Sequence, residues 1–127
     1  MIIIGHEDIP FRPLYYVDGI EEIENTPAGS TLLLGPFGES KEIARHCYEN
    51  GLRYAVTAES LKEALFANAL NAEYILCSFE LAPSIQKIAE NYLFDAKIVV
   101  PVNDENELEA VAEEGIDGVI FKEAVIA

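Results

Sequence analysis

Residues 31–58 read Thr31-Leu-Leu-Leu-Gly-Pro-Phe-Gly-Glu-Ser-Lys-Glu-Ile-Ala-Arg-His-Cys-Tyr-Glu-Asn-Gly-Leu-Arg-Tyr-Ala-Val-Thr-Ala58. The run Thr31–Gly35 is too short for a helix and has the apolar continuity of a buried strand. A Gly-Pro-Phe-Gly turn follows, and then Ile43, Ala44, Cys47 and Tyr48 recur at helical spacing. Asn50-Gly51 tolerates the left-handed conformation that ends a helix, and Tyr54–Ala58 is the next apolar run. The segment is one β–α unit followed by a second strand.

The same rhythm continues in both directions. Apolar runs start at 31, 54, 74, 97 and 118, at intervals of 20 to 23 residues (TLLLG, YAVTA, YILCS, KIVVP, GVIFK). Ser60 and Glu63 have capping-box spacing ahead of Leu61, Ala64, Leu65 and Ala69. Pro83 suits the first turn of a helix carrying Ile85, Ile88, Ala89, Tyr92 and Leu93. Asp104 and Glu107 again have cap spacing, ahead of Leu108, Val111 and Ala112, and Gly115 is the stop. Upstream, Ile2–Ile4 and Leu14–Val17 are strand candidates, separated by a proline-bearing loop from Asp8 to Pro13. Asp18 and Glu21 are spaced to open a short helix with Ile20 and Ile23 inward.

Continuous rather than alternating apolar runs belong to strands buried on both faces, hence to a parallel sheet. The expected fold is α/β, an open, mostly parallel, doubly wound sheet of five to seven strands with helices on both faces. The alternative is half of a (β/α)8 barrel. A complete barrel has eight strands and about 250 residues, and a half would need a partner copy to cover its edge. With no linker or shift in composition, residues 1–127 read as a single domain.

Half of the residues are apolar, and mean hydropathy is +0.14, so the chain has enough apolar side chains to build a core. Against 23 acidic residues stand 8 basic ones, a formal charge of −15. Such a surface repels phosphate backbones and anionic lipids, so no nucleic-acid or membrane partner is expected. Cys47 and Cys77 form no disulfide framework, and no signal peptide or membrane span is visible, which makes the cytoplasm the expected location. Self-association to a homo-oligomer is expected, because an edge strand or the proline-bearing arm would need cover.

Ligands of parallel α/β folds bind beyond the carboxyl ends of the strands. There lie His6, Glu7 and Asp8; Gly35 and Gly38; Thr57 and Glu59; Cys77, Ser78 and Glu80; Asn103 and Asp104; Lys122 and Glu123. The glycine segment could cradle an anion, but it lacks the P-loop ending, and a tight strand-to-helix turn explains it better. Glu59, Glu80, Asp104 and Glu123 carry oxygens suited to a hard cation, with Glu59 and Asp104 the metal candidates. Their place at helix N-termini favours capping instead. No cofactor or metal is expected. A nucleophilic Cys77 would need a neighbouring base, and a buried structural thiol is the simpler reading. Lys122, at the last strand end, is the catalytic candidate should this be an enzyme, as a desolvated Schiff-base amine; an ion pair is the alternative role.

From Thr31 to Glu123 the order of elements resembles a response-regulator receiver. Ala112-Glu-Glu-Gly-Ile-Asp-Gly-Val-Ile-Phe-Lys-Glu123 is similar to the receiver's last helix, strand and strand-end lysine. With Gly35-Pro36 and Cys77-Ser78 at the acidic and phosphoacceptor positions, the resemblance implies a regulator without phosphotransfer. Phe121-Lys122 also resembles the Schiff-base lysine context of keto-deoxy-phosphogluconate aldolases. The residues together lead us to expect a non-catalytic α/β module acting by binding or self-association. The alternatives are a small enzyme with a Lys122-centred or carboxylate–metal site, and a receiver-like regulator.

Overall fold

A computed structural model describes all 127 residues. Eight parallel strands form one sheet, in the order β1-β7-β6-β5-β4-β3-β2-β8. They are β1 (Ile2–Ile4), β2 (Leu14–Tyr16), β3 (Thr31–Pro36), β4 (Tyr54–Thr57), β5 (Tyr74–Leu76), β6 (Lys97–Val102), β7 (Gly118–Phe121) and β8 (Val125–Ile126). Four α-helices alternate with the later strands: α1 (Lys41–Asn50), α2 (Leu61–Ala69), α3 (Ala82–Asn91) and α4 (Leu108–Glu113). The expected open parallel α/β sheet is present, curled strongly into the half-barrel form. From β2 to β7 the strands lie side by side in sequence order, so the 2-1-3-4-5 order of a receiver is absent.

Each strand alternates its side chains between two apolar spaces. Leu32 and Leu34, Tyr54 and Val56, Ile75 and Cys77, and Ile98 and Val100 face outward into a cluster of 26 buried residues shared with the helices. Ile4, Leu14, Ala55, Leu76, Val99, Ile120 and Ala124 form an inner cluster of 7, with Leu33 and Val125 packed against it. No residue of α1 to α4 enters the inner cluster, so the helices cover the outer face rather than both. The continuous apolar runs are buried on both faces as anticipated; the second cover is the opposite wall of the curled sheet. A partner copy is therefore not needed to bury the inner face. The sheet's edges, β1 and β8, have only 3 and 2 residues, too short to offer a long template for pairing. They also approach each other, since a Cβ on Gly5 would stand 3.0 Å from that of Ala124.

Helix boundaries follow the capping chemistry closely. Gly51 (φ 65°) closes α1 and Gly115 (φ 70°) follows α4, both in the left-handed region. Ser60 Oγ accepts the Glu63 N–H at 3.2 Å, while Glu63 accepts from Glu59 N–H rather than completing the box on Ser60. Asp104 and Glu107 form a full capping box on the 3-10 turn Glu105–Glu107 that leads into α4. The upstream helix is a 3-10 turn, Ile20–Asn25, and Glu22 rather than Glu21 reaches back to Asp18 N–H at 2.9 Å. Its Ile20 and Ile23 do pack on the outer core.

The large side chains of the helices depart from expectation. Tyr48, Leu61, Leu65, Tyr92 and Leu93 are exposed. In α2 the buried positions are Ala64 and Ala67, whose small size lets the helix lie close to the sheet and turns its leucines to solvent. In α3 the helix stops at Asn91, before Tyr92 and Leu93 could be carried inward.

Candidate functional site

At the carboxyl ends of the strands, the polar residues serve the local chain. Asp104 caps Asn106 N–H at 2.7 Å, and Asn103 N–H is taken by Glu107. Ser78 Oγ accepts Leu81 N–H at 3.3 Å at the entrance to α3. Gly35 and Gly38 flank a tight turn in which the Ser40 hydroxyl donates to Pro36 O at 2.9 Å. The Glu63 carboxylate stands beside Gly38, where it would repel an anion seated on the turn. Glu59, Glu80 and Glu123 are exposed, and no three His, Cys, Asp or Glu side chains converge as metal ligands. Gly35, Gly38, Glu59, Ser78, Glu80, Asn103, Asp104 and Glu123 line none of the five best-formed hollows; Ser40 borders a shallow acidic one with Asp18, Glu21, Glu39 and Glu42.

Lys122 begins a 3-10 turn, Lys122–Ala124, and is exposed. It makes no ion pair, contrary to the pairing expected from so acidic a chain, and exposure removes the desolvation a Schiff-base amine uses. Cys77 points into the outer core, where burial pushes its thiol up to about 12; Cys47 is pushed up to about 11 for the same reason. Neither is a thiolate at neutral pH.

The structure does bring together one titratable pair that the sequence does not announce. His6 Nε2 donates to Glu105 Oε2 at 2.5 Å, and its ring meets Phe121 edge-on at 5.5 Å. Nδ1 accepts Asp8 N–H at 3.0 Å, so both ring nitrogens are satisfied within the protein. This histidine ties the loop after β1 to the turn after β6, and has no free nitrogen for acid–base work on a ligand. Its pKa is raised above 6.5, chiefly by the hydrogen bond to Glu105, with burial opposing. The Asp8 carboxylate, 3.9 Å from Nδ1, adds to the upward shift through its charge.

A raised folded-state pKa means that the added stability is complete below pH 6.5 and disappears as pH rises through the folded value. In Glu105→Gln, an NMR titration of His6 should move down toward 6.5 and the pH dependence of unfolding in that window should shrink. An unchanged midpoint would assign the shift to another group.

A different surface is unsatisfied. Phe37, Lys41, Arg45, Phe66, Ala69 and Leu70 line a shallow trough of about 360 Å³ between α1 and α2. Phe66 is 50% exposed although it meets Phe37 at 6.3 Å, and Leu61 and Leu65 extend the apolar surface along α2. Lys41 and Arg45 sit one turn apart on α1, Lys62 lies on α2, and none has a carboxylate within 4.0 Å. In so acidic a chain, this is a local apolar and cationic face. The sequence shows the apolar residues of α2 but not their outward direction. No protein-family profile matches the chain, and comparison with curated proteins gives no match. No helix is long and apolar enough to cross a membrane.

Proposed function

We propose that the chain is a non-catalytic binding module whose docking face is the α1–α2 surface. The carrying observation is an α2 whose outward face is Leu61, Leu65, Phe66 and Ala69, flanked by the unpaired cations Lys41, Arg45 and Lys62. A helix apolar on both sides is normally covered on both. The cations select the cover: a partner that presents acidic side chains around an apolar ridge. Like-to-like pairing of this face in a two-fold dimer would oppose the same cations to themselves, which disfavours a symmetric homodimer here. Charge of −15 adds repulsion between copies at longer range.

The reading is tested by a photo-crosslinking residue at position 69 in cells, with light scattering on the purified protein. A monomer, and a defined adduct to an acidic protein that Phe66→Glu and Arg45→Glu each abolish, are the expected results. An adduct unaffected by both substitutions, or its absence, would overturn the assignment. Neither substituted side chain is buried in the core, so both variants should fold.

A further inference from the structure

A second place where unpaired cations meet an apolar wall lies at the amino ends of the strands. The link from β1 to β2 has no helix; after a turn closed by the Ile9 N–H to His6 O bond, residues 10–13 run irregularly back to the amino end of β2 as an arm. Beside this arm a hollow of about 320 Å³ opens, bounded by β1, Pro10–Arg12 and the amino ends of β2 to β5. Its walls include Ile2, Ile3, Ile4 and Phe11, and its rim carries Arg12, Arg53 and Tyr74.

We propose that this hollow binds a compact carboxylate bearing a short apolar tail, the head held by Arg12 and Arg53 and the tail laid against β1. Arg12, Arg53 and Tyr74 line the hollow, and the protein leaves their donors wholly or partly unsatisfied. Arg12 makes no hydrogen bond or ion pair, and Arg53 spends one N–H on Gly29 O at 2.9 Å, leaving the rest of its fork free. The Tyr74 hydroxyl has no partner either. Glu73 is the one acidic side chain at the rim, and its Oε2 already accepts the Thr31 hydroxyl at 3.0 Å.

Two guanidinia against one carboxylate leave the rim positive. Both arginines act on the Tyr74 phenol: burial and then Glu73 raise its pKa, while Arg53 and then Arg12 oppose them. Planar guanidinium groups match a carboxylate in two-pronged fashion, and the isoleucine wall offers nothing to a polar tail. A volume near the lower limit for ligand sites restricts the guest to a small molecule. Sites of parallel α/β folds usually lie at the carboxyl edge. Here the arm brings Arg12 to the amino edge instead.

The test is calorimetry on the intact protein with hexanoate, hexan-1-ol and inorganic phosphate as separate probes. Hexanoate should bind at one site, and hexan-1-ol and phosphate should give no saturable heat. Arg12→Gln and Arg53→Gln should each weaken hexanoate by about tenfold or more, the effect of losing one charged hydrogen bond. Arg12 is exposed and unpartnered, so its variant folds irrespective of the role of Arg53. Absence of hexanoate binding, equal heat from hexan-1-ol, saturable phosphate binding, or an affinity untouched by both substitutions would each overturn the proposal. Phe66→Glu, which tests the α1–α2 face, should leave hexanoate affinity unchanged, so the two assignments stand or fall separately.

Discussion

Gly118→Ala should lower the unfolding free energy by about 3 kcal/mol, at the upper end of what overpacking costs. The cause is not backbone conformation, because Gly118 lies outside the left-handed region. It is the closeness of β1: a Cβ at position 118 would lie 2.6 Å from Ile2 O and 2.7 Å from Ile2 Cβ. The nearest atom is backbone and cannot rotate away, so the strand itself must move. Ile2 is paired with Gly118, and β7 is the only strand that β1 bonds. Displacement therefore strains the Ile2 N–H bond to Asp117 O, 2.8 Å long, and loosens Ile4 in the inner cluster. Urea unfolding should show a lower midpoint with an unchanged slope. Gly35→Ala is the matched control, since nothing lies within 4 Å of its added Cβ. A Gly118→Ala protein as stable as that control would mean that β1 does not pack as described.

Tyr54→Ala should cost about 4 kcal/mol, the usual price of emptying a large aromatic site. Tyr54 is fully buried in the outer core, and its ring stands between β4 and α2. Its hydroxyl donates to Leu70 O at 2.9 Å, at the carboxyl terminus of α2, and burial raises its pKa far above that of a free phenol. The milder Tyr54→Phe keeps the ring and leaves that carbonyl without its donor, for a loss of about 1 kcal/mol. The amides at the end of α2 should then exchange faster than those of α1. Equal loss in the two variants would assign the whole effect to the hydroxyl and none to packing. Since α2 carries the proposed docking face, Tyr54→Phe should also weaken partner binding without touching it.

The parallel α/β order was readable because strand-length apolar runs alternate with helix-spaced segments, and the capping residues mark where each helix begins. Asp104 and Glu107, Gly51 and Gly115 do what their spacing implies. The placement of the helices on one face was not readable, because an apolar run is equally continuous under a second helix layer and under the far wall of a curled sheet. Nor was the outward turn of Leu61 and Leu65: α2 is apolar on several sides, and only the closeness allowed by Ala64 and Ala67 decides which side goes in. Contacts such as His6 with Glu105 join residues 99 positions apart and leave no local pattern. The same holds for Arg12 and Arg53, which share a rim only because the arm after β1 returns to the amino end.

The side-by-side order of the strands also has a consequence for how the chain assembles. From β2 to β7 each strand pairs with its successor in sequence, so every step closes a short loop and costs little entropy. Only β1 with β7 and β2 with β8 join distant segments. Assembly can zip along the middle from any unit, and those two pairings close last. The strand that walls the proposed carboxylate hollow is held to the sheet by one long-range pairing, with β7. A guest there would act as a clasp, lending the late-closing edge a stability that the rest of the sheet acquires from its own succession of strands.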